Sequence, residues 1–412
     1  MTTTLSTLDA ALKDDYLPPL REAVNNVNVI FSEISRNEDD IVGRQAVWPV
    51  HVKRSTSTAS VGELATLPDP DAQGYVQATD KLATIYHTIK VSGPARHLTK
   101  NDRGAFLREL EATMRGAEKD VKQDLARQSF SSVVTIGSND YKGSLTASAA
   151  TQGTTTTSLV FANADEAELR ALFVGERISV INGSNGSVRG NSTITAVNLS
   201  SKTVTISPGV NNTVPGDYIS RQGNWVAISS PVTFGYEMNG LGYLFSNKPY
   251  AGINPTSEPL WQPVTTGSPT TTISEVVFVE AAEAVEIDGS GEAPSLWITS
   301  YLQRRKMAQI LQAQKRFVNN EVTLRAGWKG LEITTGTLVV DRFCPSTVLY
   351  GINTRELVRF VGLDLTWDED DGRVLLRTAN QDAVEARMKA YHNLEATTRN
   401  AHVKTTLQVP TF

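Results

Sequence analysis

The residues able to do chemistry are few and scattered. The five histidines stand at His51, His87, His97, His392 and His402. His51 and His87 could meet across an alternating ribbon, but two imidazoles without a third ligand make a weak metal site. Cross-strand packing explains them more simply. WDEDDGRV sets Asp368, Glu369, Asp370 and Asp371 in a row. A calcium loop needs ligands at spaced positions and a closing Glu, so this run reads as a solvated hairpin turn at Asp371-Gly372. Arg304-Arg305-Lys306 opens a helix; a phosphate contact is conceivable, but a solvated face or an intersubunit ion pair fits better. Cys344 is the single cysteine. It can form no intrachain disulfide and no cysteine-based zinc site, and before Pro345 it reads as a small buried apolar group. The chain carries no phosphate-binding G-x-x-x-x-G-K-S/T loop, no G-x-S-x-G elbow and no H-E-x-x-H pair. No catalytic residue, cofactor-binding residue, metal site or cofactor is expected, and so no enzyme.

Composition narrows the remaining classes. The 412 residues suffice for two or three domains. A net charge of −5 argues against electrostatic DNA binding as the main task. The segment MTTTLSTLDAALKDD lacks the basic-then-apolar order of a signal peptide. No apolar run approaches the ~20 residues that span a bilayer. A protein folded in a cytoplasm, without membrane contact, is expected.

The elements that must position any functional surface are clearer. Residues 1–45 form an arm in which Leu20, Val24, Val27, Phe31 and Ile34 recur at helical spacing after Pro18-Pro19. That helix could dock on its own domain or on a neighbour. From Ala46 the chain reads as strand, polar tip, strand. Trp48, Val50 and Val52 alternate with Pro49, His51 and Lys53; Ile85, His87, Ile89 and Val91 alternate with Tyr86, Thr88 and Lys90. Arg54 to Lys81 reads as the tip, and such a hairpin could reach ~50 Å. An isolated hairpin is marginal in water, so the ribbon must lie on something else. A capping box at Thr99 and Asp102 precedes a stripe of Leu107, Leu110, Met114, Ala117, Val121 and Leu125, which predicts one long helix lying across a sheet.

From Ser131 to Trp225, Thr, Ser, Asn and Gly dominate. GERISVI, NSTITAVNL, SKTVTISPG and GDYISRQG predict short strands around a small core of Phe161, Leu172, Phe173, Val180, Ile194, Val204, Ile206 and Tyr218. ADEAELRALF adds a short helix. The pattern suits a small β-barrel inserted between the long helix and a later α/β region. That region predicts a helix in SEVVFVEAAEAVEIDGSGEAP, a strand in SLWITS, and a helix from Tyr301 with Leu302, Ile310, Leu311 and Phe317 inward. GLEITTGTLVVDRFCPSTVLYGIN predicts two or three strands, and DLTWDEDDGRVLLR a hairpin. VEARMKAYHNLEA and AHVKTTLQV close the chain as two long antiparallel strands for the long helix to lie on.

This order resembles the major capsid protein of tailed bacteriophages, the Hong Kong 97-like shell fold. Gly240-Leu241-Gly242 leading to EPLWQPV around Trp261, Gly330-Leu331 before the TGTLVVDRF strands, and the closing YHNLEATTRNAHVKTTLQ are similar in kind. The resemblance covers most of the chain and fails over roughly 131–225. It implies an α+β chain with an N-terminal arm at 1–45, an E-loop ribbon at 46–98 and a P-domain spine helix at 99–130. An inserted β-barrel at 131–225, an A-domain at 226–365 and P-domain terminal strands at 366–412 would complete it. It implies a subunit of hexamers and pentamers in an icosahedral virion capsid, assembled in the host cytoplasm around double-stranded DNA held without sequence-specific contacts. The ribbon would lie over a neighbouring subunit through Trp48, Val50, Val52, Lys53, Arg54, Lys81, Tyr86 and Ile89. A separate scaffolding protein, a portal and decoration proteins are the implied partners. Some members of this family crosslink a ribbon Lys to a neighbour's Asn, but Lys53 and Lys81 match no crosslinking motif. Two other readings stay open: an encapsulin-like bacterial compartment on the same fold, and a phage adhesion protein whose 131–225 barrel binds carbohydrate.

Overall fold

The computed structural model describes residues 29–64, 66–94, 103–136, 139–143, 146–147, 156–161, 166–224, 236–289, 291–313, 321–323, 329–333, 335–369, 374–378 and 380–411. The Pro18-Pro19 helix start, the Thr99–Asp102 cap, Trp225, Phe317 and the Asp371-Gly372 turn lie outside the described residues, as do the Leu107 and Leu110 side chains. In chain order the principal elements are α1 Val29–Glu33, β1 Gln45–Lys53, β2 Gly74–Lys81, β3 Ala83–Ser92, α2 Arg103–Gln128, β4 Val264–Gly267, α3 Glu275–Asp288, β5 Leu296–Thr299, α4 Tyr301–Ala313, β6 Gly336–Val340, β7 Val348–Ile352, β8 Leu357–Trp367, β9 Ala383–Ala396 and β10 Val403–Thr406.

The chain is α+β, with several sheets and few helices. In one sheet β9 is central, antiparallel to β8 on one edge and to β3 on the other. Ser35–Asn37 adds a parallel strand beyond β8. Period two puts Val384, Ala386, Met388 and Ala390 of β9 inside and leaves Arg387 out. The long helix α2 lies against this sheet, burying Met114, Ala117, Val121 and Leu125 as its spacing predicts. α1 docks on its own chain, with Val29, Ile30 and Phe31 buried and the Arg359 guanidinium 5.4 Å above the Phe31 ring.

A second sheet runs β4-β10-β7-β5-β6 and then the Lys329–Ile333 and Glu321–Thr323 strands. β4, β5, β6 and β10 run parallel and β7 opposes them. One face carries both α3 and α4. Val277, Phe278, Ala281, Ala282 and Val285 of α3 and Met307 of α4 share a cluster with Trp297, Leu338, Leu349 and Val403. The other face, with Ile298, Val339 and Tyr350, joins the main core. Between α2 and this region, residues 146–221 include a six-stranded antiparallel sheet with its own cluster of Leu159, Phe161, Ile178, Val180, Ile194, Val204, Ile206 and Ile219.

Six details depart from the sequence reading. The return strand of the ribbon is β2, inside the segment read as the tip, because its inward residues, Ala78 and Asp80, give no apolar signal. β3 pairs with β9 instead, so His51 and His87 belong to different sheets; His51 faces Tyr75. β9 and β10 do not pair, since the Arg399–Ala401 turn redirects the chain into the second sheet. Leu376–Arg377 pairs with β9, not with β8, so 364–377 is no hairpin. On α4 the deeply buried residues are Gln303 and Met307, with Leu302, Ile310 and Leu311 half-buried; in the 146–221 unit Phe173 is exposed beneath the Arg221 guanidinium.

Candidate assembly surface

The ribbon has two faces because β1 and β2 alternate. Inward, Ala46, Trp48, Val50, Val52 and Ala78 are buried. The Trp48 ring stacks on Phe360 of β8, with centroids 5.3 Å apart and planes 21° from parallel. Thr79 N donates to Ala251 O at 3.0 Å, and Leu82 N donates to Arg44 O at 2.9 Å. These contacts fasten the base of the ribbon to its own chain. Outward, Pro49, His51, Lys53, Tyr75 and Gln77 face solvent.

Beyond Lys53 the chain leaves the ladder, and Asp71 organises the segment. Thr56 N and Oγ1 donate to its Oδ2 at 3.0 and 2.9 Å, Lys53 Nζ stands 3.2 Å from Oδ1, and Ser55 Oγ donates to Asp71 O at 2.9 Å. The Thr56 bonds, aided by Lys53, hold the Asp71 carboxyl down at about 2. The polar residues thus close on one another and leave the apolar ones outside. Leu64 is 99% exposed, and Leu67, Val61 and Tyr75 are also open.

The eight ribbon residues expected at a subunit contact therefore divide. Trp48, Val50, Val52 and Ile89 are covered by their own chain; Lys53, Arg54, Lys81 and Tyr86 are exposed. Tyr86 meets Tyr391 edge-on at 6.2 Å, with hydroxyls 3.3 Å apart, and that bond pushes the Tyr391 hydroxyl up. The sequence reading missed Leu64, Leu67 and Tyr75. The two leucines stand out in the polar stretch GELATLPDP.

Two buried polar clusters hold the parts that carry this surface. At the end of α2, Arg127 Nη2 lies 2.7 Å from Asp124 and 2.6 Å from Glu237. Arg221 of the 146–221 unit bridges Asp124 at 2.8 Å and Glu176 at 2.6 Å. Burial disfavours the Asp124 carboxylate, but Arg127 and Arg221 outweigh it and lower its pKa; at Glu176 burial wins and raises it. Near the ribbon base, Asn239 Nδ2 donates to Asp80 at 2.7 Å and to Glu395 at 2.6 Å, and Asn393 Nδ2 donates to Glu395 at 2.7 Å and to Lys81 O at 2.9 Å. Partners more than a hundred residues apart leave no local trace. Among the described residues no group of three or more His, Cys, Asp and Glu is gathered for a metal, and no helix is long and apolar enough to cross a membrane.

No protein-family model matches the chain, and no curated protein matches it in sequence. Solved structures do. The chain is similar to one from the Cyanophage A-1(L) capsid asymmetric unit, with a TM-score of 0.54 and 10% identity over 92% of this chain and 93% of that one. It is also similar to the holo-SrpI encapsulin complex from Synechococcus elongatus, at TM-score 0.44 and 9% identity over 94% and 90%. Against the satellite phage P4 procapsid the values are 0.40 and 10% over 96% and 99%. Only the first likeness is close enough to carry weight, and at 10% identity what it establishes is the fold. The chain has a capsid-type α+β fold.

Proposed function

We propose that the chain is a structural shell subunit, the major capsid protein of a tailed bacteriophage, with no catalytic role. The observation that carries this reading is the end-to-end likeness to the cyanophage capsid chain, over nine-tenths of both molecules. In this reading β1, β2 and the segment between them are the E-loop; α2 with β3, β8 and β9 is the P-domain; and the second sheet with α3 and α4 is the A-domain. The 146–221 unit is the inserted β-barrel, and residues before β1 are the arm. Lys53, Arg54, Lys81 and Tyr86, together with Leu64 and Leu67, face the neighbouring subunit. The buried Trp48, Val50, Val52 and Ile89 hold the ribbon at the angle from which it reaches that neighbour.

Copies joined this way contact through different patches, a heterologous arrangement that closes only if the rotation allows. Six-fold and five-fold rings from one chain need a contact that tolerates two nearby angles, and the irregular 54–73 segment supplies that tolerance. Double-stranded DNA would fill the shell without sequence-specific contacts, in keeping with the acidic balance. Portal and decoration proteins would complete the virion, and a separate scaffolding protein would guide closure in the host cytoplasm. Uniform closed shells from this chain alone would remove the need for that last partner. Electron microscopy and sedimentation of the purified protein test the reading. Shells built of six- and five-fold units are expected; stable monomers or trimers at high concentration overturn it.

A further inference from the structure

The helices α3 and α4 are charged with opposite signs, α3 acidic at its C-terminal end and α4 basic toward its N-terminal end. α3 carries Glu275, Glu280, Glu283, Glu286 and Asp288 and no Lys or Arg. Two of those acids, Glu286 and Asp288, sit in the last turn, where the helix presents its partial negative charge. α4 carries Arg304, Arg305 and Lys306 at its start and no acid in its first turn, where the partial charge is positive. These two placements oppose the helix dipole, while Glu275 in the first turn of α3 goes with it. Among the described residues no ion pair joins Glu280, Glu283, Glu286, Asp288 or Arg304 to any partner.

Each charged end also carries exposed apolar surface. Ile287, 79% exposed, lies between Glu286 and Asp288. Tyr301 opens α4 and is exposed, as is Val409. Val409 sits beside that end because Gln303 Nε2 donates to Gln408 O at 2.8 Å and Lys306 Nζ donates to Thr411 O at 2.9 Å. The two ends cannot reach each other within one molecule in the manner of a closed pair. Both helices cover the same sheet face, and β5 separates them in sequence: α3 ends before β5 starts, and α4 begins after β5 finishes. The acidic end and the basic end therefore lie toward opposite ends of that strand.

The geometry points to a second copy of this chain as the occupant of both surfaces, with the α3 acidic end of one copy docked on the α4 basic end of the next. Ile287 packs against Tyr301 and Val409 at the centre. Glu283, Glu286 and Asp288 face Arg304, Arg305 and Lys306 around it, an apolar core within a charged rim. Each unfavourable dipole placement is then neutralised by the partner. The inference rests on the shell reading above, since it names the contact that would join A-domains around a ring.

Charge reversal tests it. Glu286→Lys with Asp288→Lys makes both ends basic; Arg304→Glu with Arg305→Glu makes both acidic. Each variant should melt within a few degrees of the parent yet lose at least ~10-fold in assembled fraction, as a factor of ten follows from about 1.4 kcal/mol per contact. Mixing the two variants restores opposite charges only in alternation, so rings with an even number of copies should return and five-fold rings should not. An Ile287→Cys, Tyr301→Cys chain should give a ladder of disulfide-linked oligomers, since the native Cys344 is buried. Reversal variants that assemble like the parent, a mixture that restores nothing, or an Ile287→Cys, Tyr301→Cys chain that assembles without a ladder each overturn this contact while leaving the shell reading intact. A parent chain that stays monomeric overturns both.

Discussion

Single residues separate what holds the ribbon from what it offers. Trp48→Ala removes the stack on Phe360 and should cost about 3–5 kcal/mol in denaturant unfolding of the monomer. Leu64→Ser touches nothing in its own chain, so monomer stability should stay within about 0.5 kcal/mol while assembly falls; a monomer equally destabilised would place Leu64 in the fold. The buried histidines add a pH test. Burial, with Arg359 nearby, pulls His392 down to about 3, and burial pulls His402 down to about 4. Asn353 N donates to His402 Nδ1 at 3.2 Å, which suits a neutral ring. The unfolded chain takes up these protons near the ordinary value of 6.5 and the folded chain does not. Stability should therefore decline as pH falls from 6.5 toward 4. Asp341, pushed up to about 6 by burial, opposes this between about 4 and 6. Urea midpoints at neutral pH and near pH 5 check the sign, and His392→Gln should flatten the slope.

At the scale of elements, periodicity was legible and partnership was not. The stripe of α2 and the alternation of β9 are written in apolar spacing, so both were readable. Strand partners depend on turns and on distant residues, so β3 was placed in the ribbon when its ladder lies with β9. Gly242, in the Gly-Leu-Gly segment, has a plain reason: a Cβ there would stand 2.5 Å from Ser132 Cβ and 2.8 Å from Ser131 O. Gly242→Ala should destabilise by about 1–3 kcal/mol, seen as a lower thermal midpoint. Arg127 has a larger role, as it compensates Asp124 and Glu237 at the junction of α2 with the 146–221 unit. Arg127→Met should cost about 3–5 kcal/mol by removing the cation that Asp124 and Glu237 share, with Arg221 alone remaining on Asp124.

For the whole molecule, the consequence is an unfinished surface. Among the described residues, β3, β8, β9 and the Met114–Leu125 stripe of α2 bury their apolar faces within one chain, and the second sheet is covered by α3 and α4 on one face and the main core on the other. What stays open lies at projecting places: Leu64 and Leu67 on the ribbon, and the opposed charges of α3 and α4. The second of these predicts salt sensitivity. At ~1 M salt the screening length falls to about 3 Å, so light scattering should report weaker association than at ~0.1 M. Association unchanged or strengthened by salt would leave the apolar tip as the sole adhesive.

The sequence by itself determined the elements with strong apolar period, most of the apolar residues that cluster within the 131–225 segment and the absence of familiar catalytic motifs, because these follow from residues close together along the chain. Tertiary structure alone decided that the ribbon base is buried at home, that the two closing strands enter different sheets, and that Arg127, Asn239 and Trp48 meet partners over a hundred residues away. Burial and long-range pairing arise only when distant segments share space, and no local pattern encodes which segments those will be.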